Sequence, residues 1–418
     1  MRSGPELSGW ADVVIVGGGP AGLAAACACR RSGLGRVVVL DREAEAGGVP
    51  RHCAHTGFGL RDLHRVRGGP AYAAALLEAA IEAGAEIRTR HTATDLDGLC
   101  VRVTSPGRRY TLHGRAVVLA TGCRERPRAA RWVAGDRPAG VLTTGQLQQL
   151  DRPAVALGRR AVVVGAEHVS YSAALTLREA GVRVVAMVTE APDTESFAAF
   201  DLACRARYRF PLLTGGMVRA VRGRSRVEAV EVMDAIGVIR VLNCDTVVFT
   251  ADWIPDHELA RRAGVPIDPG TRGPAVDAAL RTTTPGVFAA GNVLHGAETA
   301  DVCALDGRAV AASIVRYLDG GAWPAASVPV QVASPLAWVA PNLVSGAGRP
   351  PRGLLLLRTN ESRNHPRVRV RQGDRVLWSH HVRWTRRGRS LRLAADWLAD
   401  VDLAGPPVIV ALKSPPPS

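Results

Sequence analysis

The stretch Val13–Gly22, V-V-I-V-G-G-G-P-A-G, decides the reading of the chain. Its four aliphatic residues predict a short buried strand. Gly17, Gly19 and Gly22 then fall at G-x-G-x-x-G spacing, with Gly18, Pro20 and Ala21 between them, and Leu23–Arg30 continues as an alanine-rich helix. Each glycine has its own task in such a pattern. Gly17 permits the turn out of the strand, Gly19 lets a pyrophosphate approach the backbone, and Gly22 lets the helix pack on the sheet. The free N–H groups of the helix start face the phosphates. A second predicted strand, Arg36–Leu40, runs into Asp41 and Arg42. Asp41 lies about 20 residues on, where an acid holds the ribose hydroxyls of a dinucleotide. Together these features predict a dinucleotide-binding unit. The glycines alone would also fit a strand-turn-helix without a ligand.

Size and charge bound the rest. A chain of 418 residues predicts two or three domains, and 47% hydrophobic residues suffice for their cores. No apolar run reaches the ~18 residues that a spanning helix needs. The start M-R-S-G-P-E-L-S-G-W lacks the pattern of a secretory signal, so the reading expects a cytoplasmic protein. The formal net charge is +15, yet Lys413 is the sole lysine among the basic residues. That bias, with abundant Ala, Gly and Pro, reads as coding preference rather than as a nucleic-acid footprint. The charge still steers anionic ligands. The eight cysteines form no C-x-x-C and no metal-ligand spacing, which predicts small buried residues rather than a redox dithiol or a metal site.

Further along, the loop between Asp41 and Gly59 carries Gly47, Gly48, Arg51, His52 and His55. Long irregular loops in compact domains usually serve function. Pro70–Ala83 predicts a helix. Glu86–Thr94, Leu99–Thr104 and Arg109–His113 predict an antiparallel meander, and Ala116–Ala120 a separate buried strand ending at Thr121-Gly122. A second β-α-β unit runs through Arg160–Val164, Tyr171–Ala180 and Val182–Val188. Its turn, Gly165–Ser170, keeps one of three expected glycines and places Glu167 where a phosphate would lie. A second meander follows at Met217–Val221, Arg226–Met233 and Val238–Leu242. Pro285–Asn292 predicts a strand ending at Gly291-Asn292, and Gly307–Leu318 a helix. Beyond the Ala322–Pro329 linker, short strands predict a small β domain. Thirteen arginines lie between Arg349 and Arg392, against Glu361 and Asp374.

Residues 11–322 resemble the flavoproteins of the thioredoxin-reductase and pyridine nucleotide-disulfide reductase superfamily. The resemblance rests on V-V-I-V-G-G-G-P-A-G with Asp41, V-V-L-A-T-G at 117–122, the second Rossmann unit at 160–188, W-I-P-D-H-E-L at 253–259, and T-T-T-P-G-V-F-A-A-G-N at 282–292. In that superfamily the last motif ends in Gly-Asp, where Asn292 stands here. The G-G-x-P-R-H loop brings the chain nearest to the FAD subunits of opine oxidases, L-proline dehydrogenases and hydrogen cyanide synthase.

The resemblance implies an α/β fold of two interleaved, doubly wound Rossmann-like domains with a small C-terminal β domain. The expected divisions are 1–150 with 251–322 for FAD, 151–250 for the second Rossmann unit, and 330–418 for the basic β segment. Gly17–Gly22, Asp41, Arg42, Gly48, Arg51, Thr121, Gly122, Gly291 and Asn292 are expected to hold FAD, with NAD(P) binding left open. His52, His55 and His295 are candidate catalytic bases. The expected chemistry is oxidation of an amine, amino acid or opine by hydride transfer to flavin N5. Two alternatives stay open: an NAD(P)H-dependent flavin reductase serving a protein or quinone, and an FAD-stabilised partner-binding subunit. Expected partners are a small-molecule substrate and a second oxidoreductase subunit or electron-acceptor protein, within an oligomer and without nucleic acid.

Overall fold

The computed structural model describes residues 7–150, 157–196, 198–296, 298–346 and 348–413. The chain divides into two compact units. One holds the residues up to Arg51, Thr56–Cys123 and everything from Ile254 on; the other holds His52–His55 and Arg124–Trp253.

In the first unit, the strand Leu7–Val16 lies between Val37–Leu40 and Arg108–Leu119, parallel to both. Glu86–Arg88 extends the sheet beyond Val37–Leu40, and Val287–Ala289 pairs with Val117–Leu119. The aliphatic runs Val13–Ile15 and Val37–Leu40 are fully buried, as parallel strands covered on both faces must be. Two expectations are corrected: Glu86–Thr94 is not one meander strand, since Glu86–Arg88 joins the parallel sheet and Thr92–Asp97 the meander. Arg109–His113 and Ala116–Ala120 are not two strands but one, Arg108–Leu119. One edge pairs in parallel with Leu7–Val16 from Tyr110 to Leu119, while the other edge turns from antiparallel pairing with Cys100–Ser105 to parallel pairing with Val287–Ala289. Gly114 sits at the changeover, where a Cβ would come within 2.6 Å of the Ala116 carbonyl oxygen.

The helix Pro20–Arg31 starts with proline in its first turn and ends in Arg30 and Arg31, which favour its negative pole. Against it packs the helix Ala300–Leu318, longer than the expected Gly307–Leu318. Thr299 and the first-turn acid Asp301 mark its true start. Gly307 is a contact point instead: a Cβ there would sit 2.0 Å from the carbonyl oxygen of Ala21.

The C-terminal segment of this unit is a β-sandwich. One sheet runs Leu343–Val344, Val328–Val332, Val408–Lys413, Arg367–Gln372, Arg375–His381, and the other Leu336–Ala340, Leu354–Thr359, Ser390–Ala394. Val330, Leu357, Val370, Val410 and Trp397 form its core together with Ala278, which precedes the segment in sequence.

The second unit is built on a five-stranded parallel sheet in the order Val141–Thr143, Thr246–Phe249, Arg160–Val164, Arg183–Val188, Leu212–Leu213. The helix His168–Glu179 and the predicted antiparallel meander, here Met217–Arg222, Ala229–Met233 and Ile239–Asn243, complete it. No helix among the described residues is long and apolar enough to cross a membrane.

Candidate flavin-binding site

Three glycines shape the turn after the first strand, each for a different reason. Gly17 has φ +109°, and a Cβ on it would meet the Ala120 carbonyl oxygen at 2.3 Å. A Cβ on Gly22 would lie 1.9 Å from the Gly17 carbonyl oxygen, so the helix closes onto its own loop. Gly19 is open: the nearest atom to its Cβ position is the Gly48 Cα, at 3.9 Å. Gly19 also caps the helix Pro20–Arg31, with its own φ at −81°. Bare backbone at the positive end of a helix is a cradle for a diphosphate.

Asp41 is buried under this loop. It accepts hydrogen bonds of 2.8 Å from the Gly18 N–H and of 2.8 Å from the Glu43 N–H. Burial raises its pKa above the ordinary carboxylate value despite these two bonds. Gly18 has no side chain because the carboxylate occupies its place; a Cβ would come within 2.6 Å of Asp41 Oδ2. Arg42 is largely exposed and lies 3.4 Å from Asp256.

The other expected FAD contacts gather at the carboxyl ends of neighbouring parallel strands, where open α/β sheets bind ligands. Thr121 and Gly122 end Arg108–Leu119. The Thr121 hydroxyl donates to the Asp256 carbonyl at 2.7 Å, and Gly122, with φ +74°, has nothing within 4 Å of its Cβ position. Gly291 and Asn292 follow Val287–Ala289. The Asn292 amide donates to the Glu298 carbonyl at 3.1 Å and accepts from the Glu298 N–H at 3.0 Å. An aspartate there could make only the second bond, which gives asparagine a reason to stand in this motif. Gly48, with φ +62°, abuts the cradle so closely that a Cβ would be 2.9 Å from the Gly19 Cα. The Arg51 guanidinium lies 2.9 Å from Glu43 and 3.4 Å from Glu45.

The three candidate bases fall in different surroundings. His52 and His55 belong to the second unit. There His55 Nε2 is 2.7 Å from the Ser172 hydroxyl, which also accepts from the Gln148 amide at 2.9 Å. His295 is buried in the first unit, stacked on Trp338 with ring centroids 4.8 Å apart, and its Nδ1 has no hydrogen-bond partner. Near it Arg352 approaches the buried Asp306 at 3.5 Å, and Ser390 bonds Glu298. The β-sandwich thus fastens the loop that follows Asn292.

These two buried groups predict opposing pH effects. Burial pushes the Asp306 pKa up to about 7, so the folded chain holds this proton where the unfolded chain, at 3.8, has released it. Its contribution to stability therefore falls as pH rises from 3.8 to about 7. Burial pushes His295 down to about 4 from 6.5, so its contribution is lost as pH falls through that range. Asp306→Asn should leave only the second effect. Its melting temperature relative to the parent should be highest near about pH 8 and fall steadily towards about pH 4. A difference that does not change with pH would contradict this assignment.

The sequence did not reveal a second network around the cradle's neighbouring loop. Arg61 pairs with Asp301 at 3.3 Å, and Asp62 with Arg308 at 3.6 Å. The Tyr72 hydroxyl donates to Asp62 at 2.8 Å. Adjacent opposite charges facing opposite charges seven apart on one helix are a signal only once loop and helix are known to meet.

The equivalent turn of the second unit carries side chains where two glycines would stand. Glu167 caps the helix His168–Glu179, and its carboxylate accepts from the Trp253 indole at 3.2 Å. Ser170, at the third glycine position, is buried and bonded to Thr250 at 2.6 Å. The Ala166 carbonyl accepts from the Glu195 N–H at 3.1 Å.

Two Rossmann-type units, the first with an open phosphate cradle at its switch from strand to helix, define a fold of the two-domain Rossmann-type flavoprotein class. The chain belongs to the pyridine nucleotide-disulphide oxidoreductase family, whose model matches residues 11–307. An opine oxidase subunit of Agrobacterium tumefaciens (strain Ach5) is 28% identical over 332 residues, which cover 71% of this chain and 64% of that protein. The alpha subunit of sarcosine oxidase from Corynebacterium sp. (strain P-1) is 33% identical over 218 residues, 50% of this chain and 22% of that protein. The chain thus spans less than two thirds of these curated relatives. The fold is similar to that of thioredoxin reductase from T. acidophilum, with a TM-score of 0.62 at 24% identity over 75% of this chain and 99% of that one.

Proposed function

We propose that the chain oxidises the C–N bond of an amine, amino acid or opine. The observation that carries this reading is the acidic second turn, with Glu167 at the helix start. Glu167 sets a negative charge at a helix N-terminus where a pyrophosphate would need positive potential. Ser170, bonded to Thr250, stands where a third glycine would let helix and sheet close. Without a nicotinamide donor, the electrons come from an organic substrate. The similarity to opine and sarcosine oxidase subunits points to a carbon next to nitrogen. The lack of any C-x-x-C removes thiol–disulfide exchange.

Gly17–Gly22 and Asp41 would hold the ADP half of FAD, and Thr121, Gly122, Gly291 and Asn292 the middle. Bound FAD supplies the hydride acceptor. Gly48 backs the phosphate loop, and Arg51, engaged by Glu43 and Glu45, orders the segment leading to the candidate bases. A base must be neutral and reachable to take the amine proton. His52 and His55 remain the candidates for that step. His295, stacked and buried, is a positioning residue for the loop after Asn292.

The test is anaerobic bleaching of the flavin absorbance. An N-alkyl amino acid, L-proline or an opine should bleach it within a mixing experiment, and NADH or NADPH should not. Rapid bleaching by a reduced nicotinamide alone would replace this reading with a flavin reductase.

A further inference from the structure

The two outer faces of the C-terminal sandwich differ. On one sheet Trp338 lies against His295, so that face is covered. On the other, the strand Arg367–Gln372 turns Val368 and Val370 into the core and Arg367, Arg369 and Arg371 outward. Lys413 is opposite Arg367 on one neighbouring strand, and His381 is opposite it on the other. The five strands of this sheet contain no carboxylate. Arg369 Nε and the facing Ser379 hydroxyl are buried and lack hydrogen-bond partners.

We propose that this face docks an extended acidic segment of a partner protein. Outward residues on a strand repeat every ~6.8 Å, the interval at which carboxylates recur at alternate positions of an extended chain. Guanidinium forks bind carboxylates in two-pronged fashion, and arginine is enriched at protein interfaces. A second copy of the same face is excluded as occupant, because like charges would meet. A nucleic acid fits less well: no Trp, Tyr or Phe ring stands among the outward arginines for a base to stack on.

The proposal is tested on the flavin-loaded full chain by fluorescence anisotropy. The probes are a labelled alternating Glu–Thr dodecapeptide, an oligo-dT of equal charge, and phosphatidylglycerol vesicles. Arg367→Gln/Arg369→Gln/Arg371→Gln should weaken the peptide by at least about tenfold, and its binding should decline with salt. A control, Arg183→Gln/Arg219→Gln/Arg224→Gln, removes the same charge from the second unit and should change affinity by less than about twofold. Melting temperature and flavin content show that both variants are folded, and single substitutions of Arg369 and Arg371 replace the triple variant if it is not. Equal losses in both variants, no peptide binding at low salt, or tighter binding to oligo-dT or vesicles would overturn the proposal.

Discussion

Gly19→Glu should give a folded protein that stays colourless. The position tolerates a side chain sterically, since its Cβ would meet nothing closer than 3.9 Å and its φ of −81° suits any residue. The new carboxylate, however, would stand at the helix N-terminus that receives the diphosphate. Like charge at short range in a partly desolvated site should cost several kcal/mol, so FAD affinity should fall by at least about a hundredfold. The melting temperature of the flavin-free protein should move little, as surface substitutions generally do. Calorimetric titration with FAD, alongside thermal unfolding of the stripped protein, separates these two readouts. The second unit carries the same arrangement naturally, with Glu167 as the helix cap. A Gly19→Glu variant that still purifies yellow would remove the phosphate cradle from this account.

Gly307→Val should strike stability and flavin retention together. Even the first added carbon would lie 2.0 Å from the Ala21 carbonyl oxygen, an atom of rigid helical backbone, so the two helices must part. Overpacking of this kind costs up to about 3 kcal/mol and occasionally more. For a unit of this size that lowers the melting temperature by roughly 6–12 °C. Ala21 and Gly22 belong to the cradle's helix, so displacing them should also speed flavin loss. Gly307→Ala should show the same two changes at smaller size. A variant with native melting and native flavin release would show that the helices are not in this contact.

The pH behaviour of Asp306 and His295 and the substrate panel test narrower points, and both depend on groups whose surroundings a linear reading does not supply. Asp306 is an ordinary helical acid in the sequence. Its protonation near pH 7 arises because Ala300–Leu318 turns it into a buried position beneath the β-sandwich.

The first unit's identity was legible in ten residues, because a strand, three glycines and a helix start are local in sequence and each obeys a local steric rule. Gly17 and Gly22 are fixed by atoms close along the turn or on the adjacent strand. The family's later motifs were legible for the same reason, as strand ends that carry Thr121-Gly122 and Gly291-Asn292. The long strand Arg108–Leu119 was not, since the partner on one of its edges changes halfway and only the sheet reveals that the backbone continues. Nor was the helix-crossing role of Gly307, or the burial of His295 against Trp338, because each requires two segments far apart in sequence to meet. Local backbone chemistry wrote the nucleotide-binding pattern into the sequence. Long-range packing decided that His295 is buried, that Asp306 keeps its proton, and that the arginines of Arg367–Gln372 point away from the core.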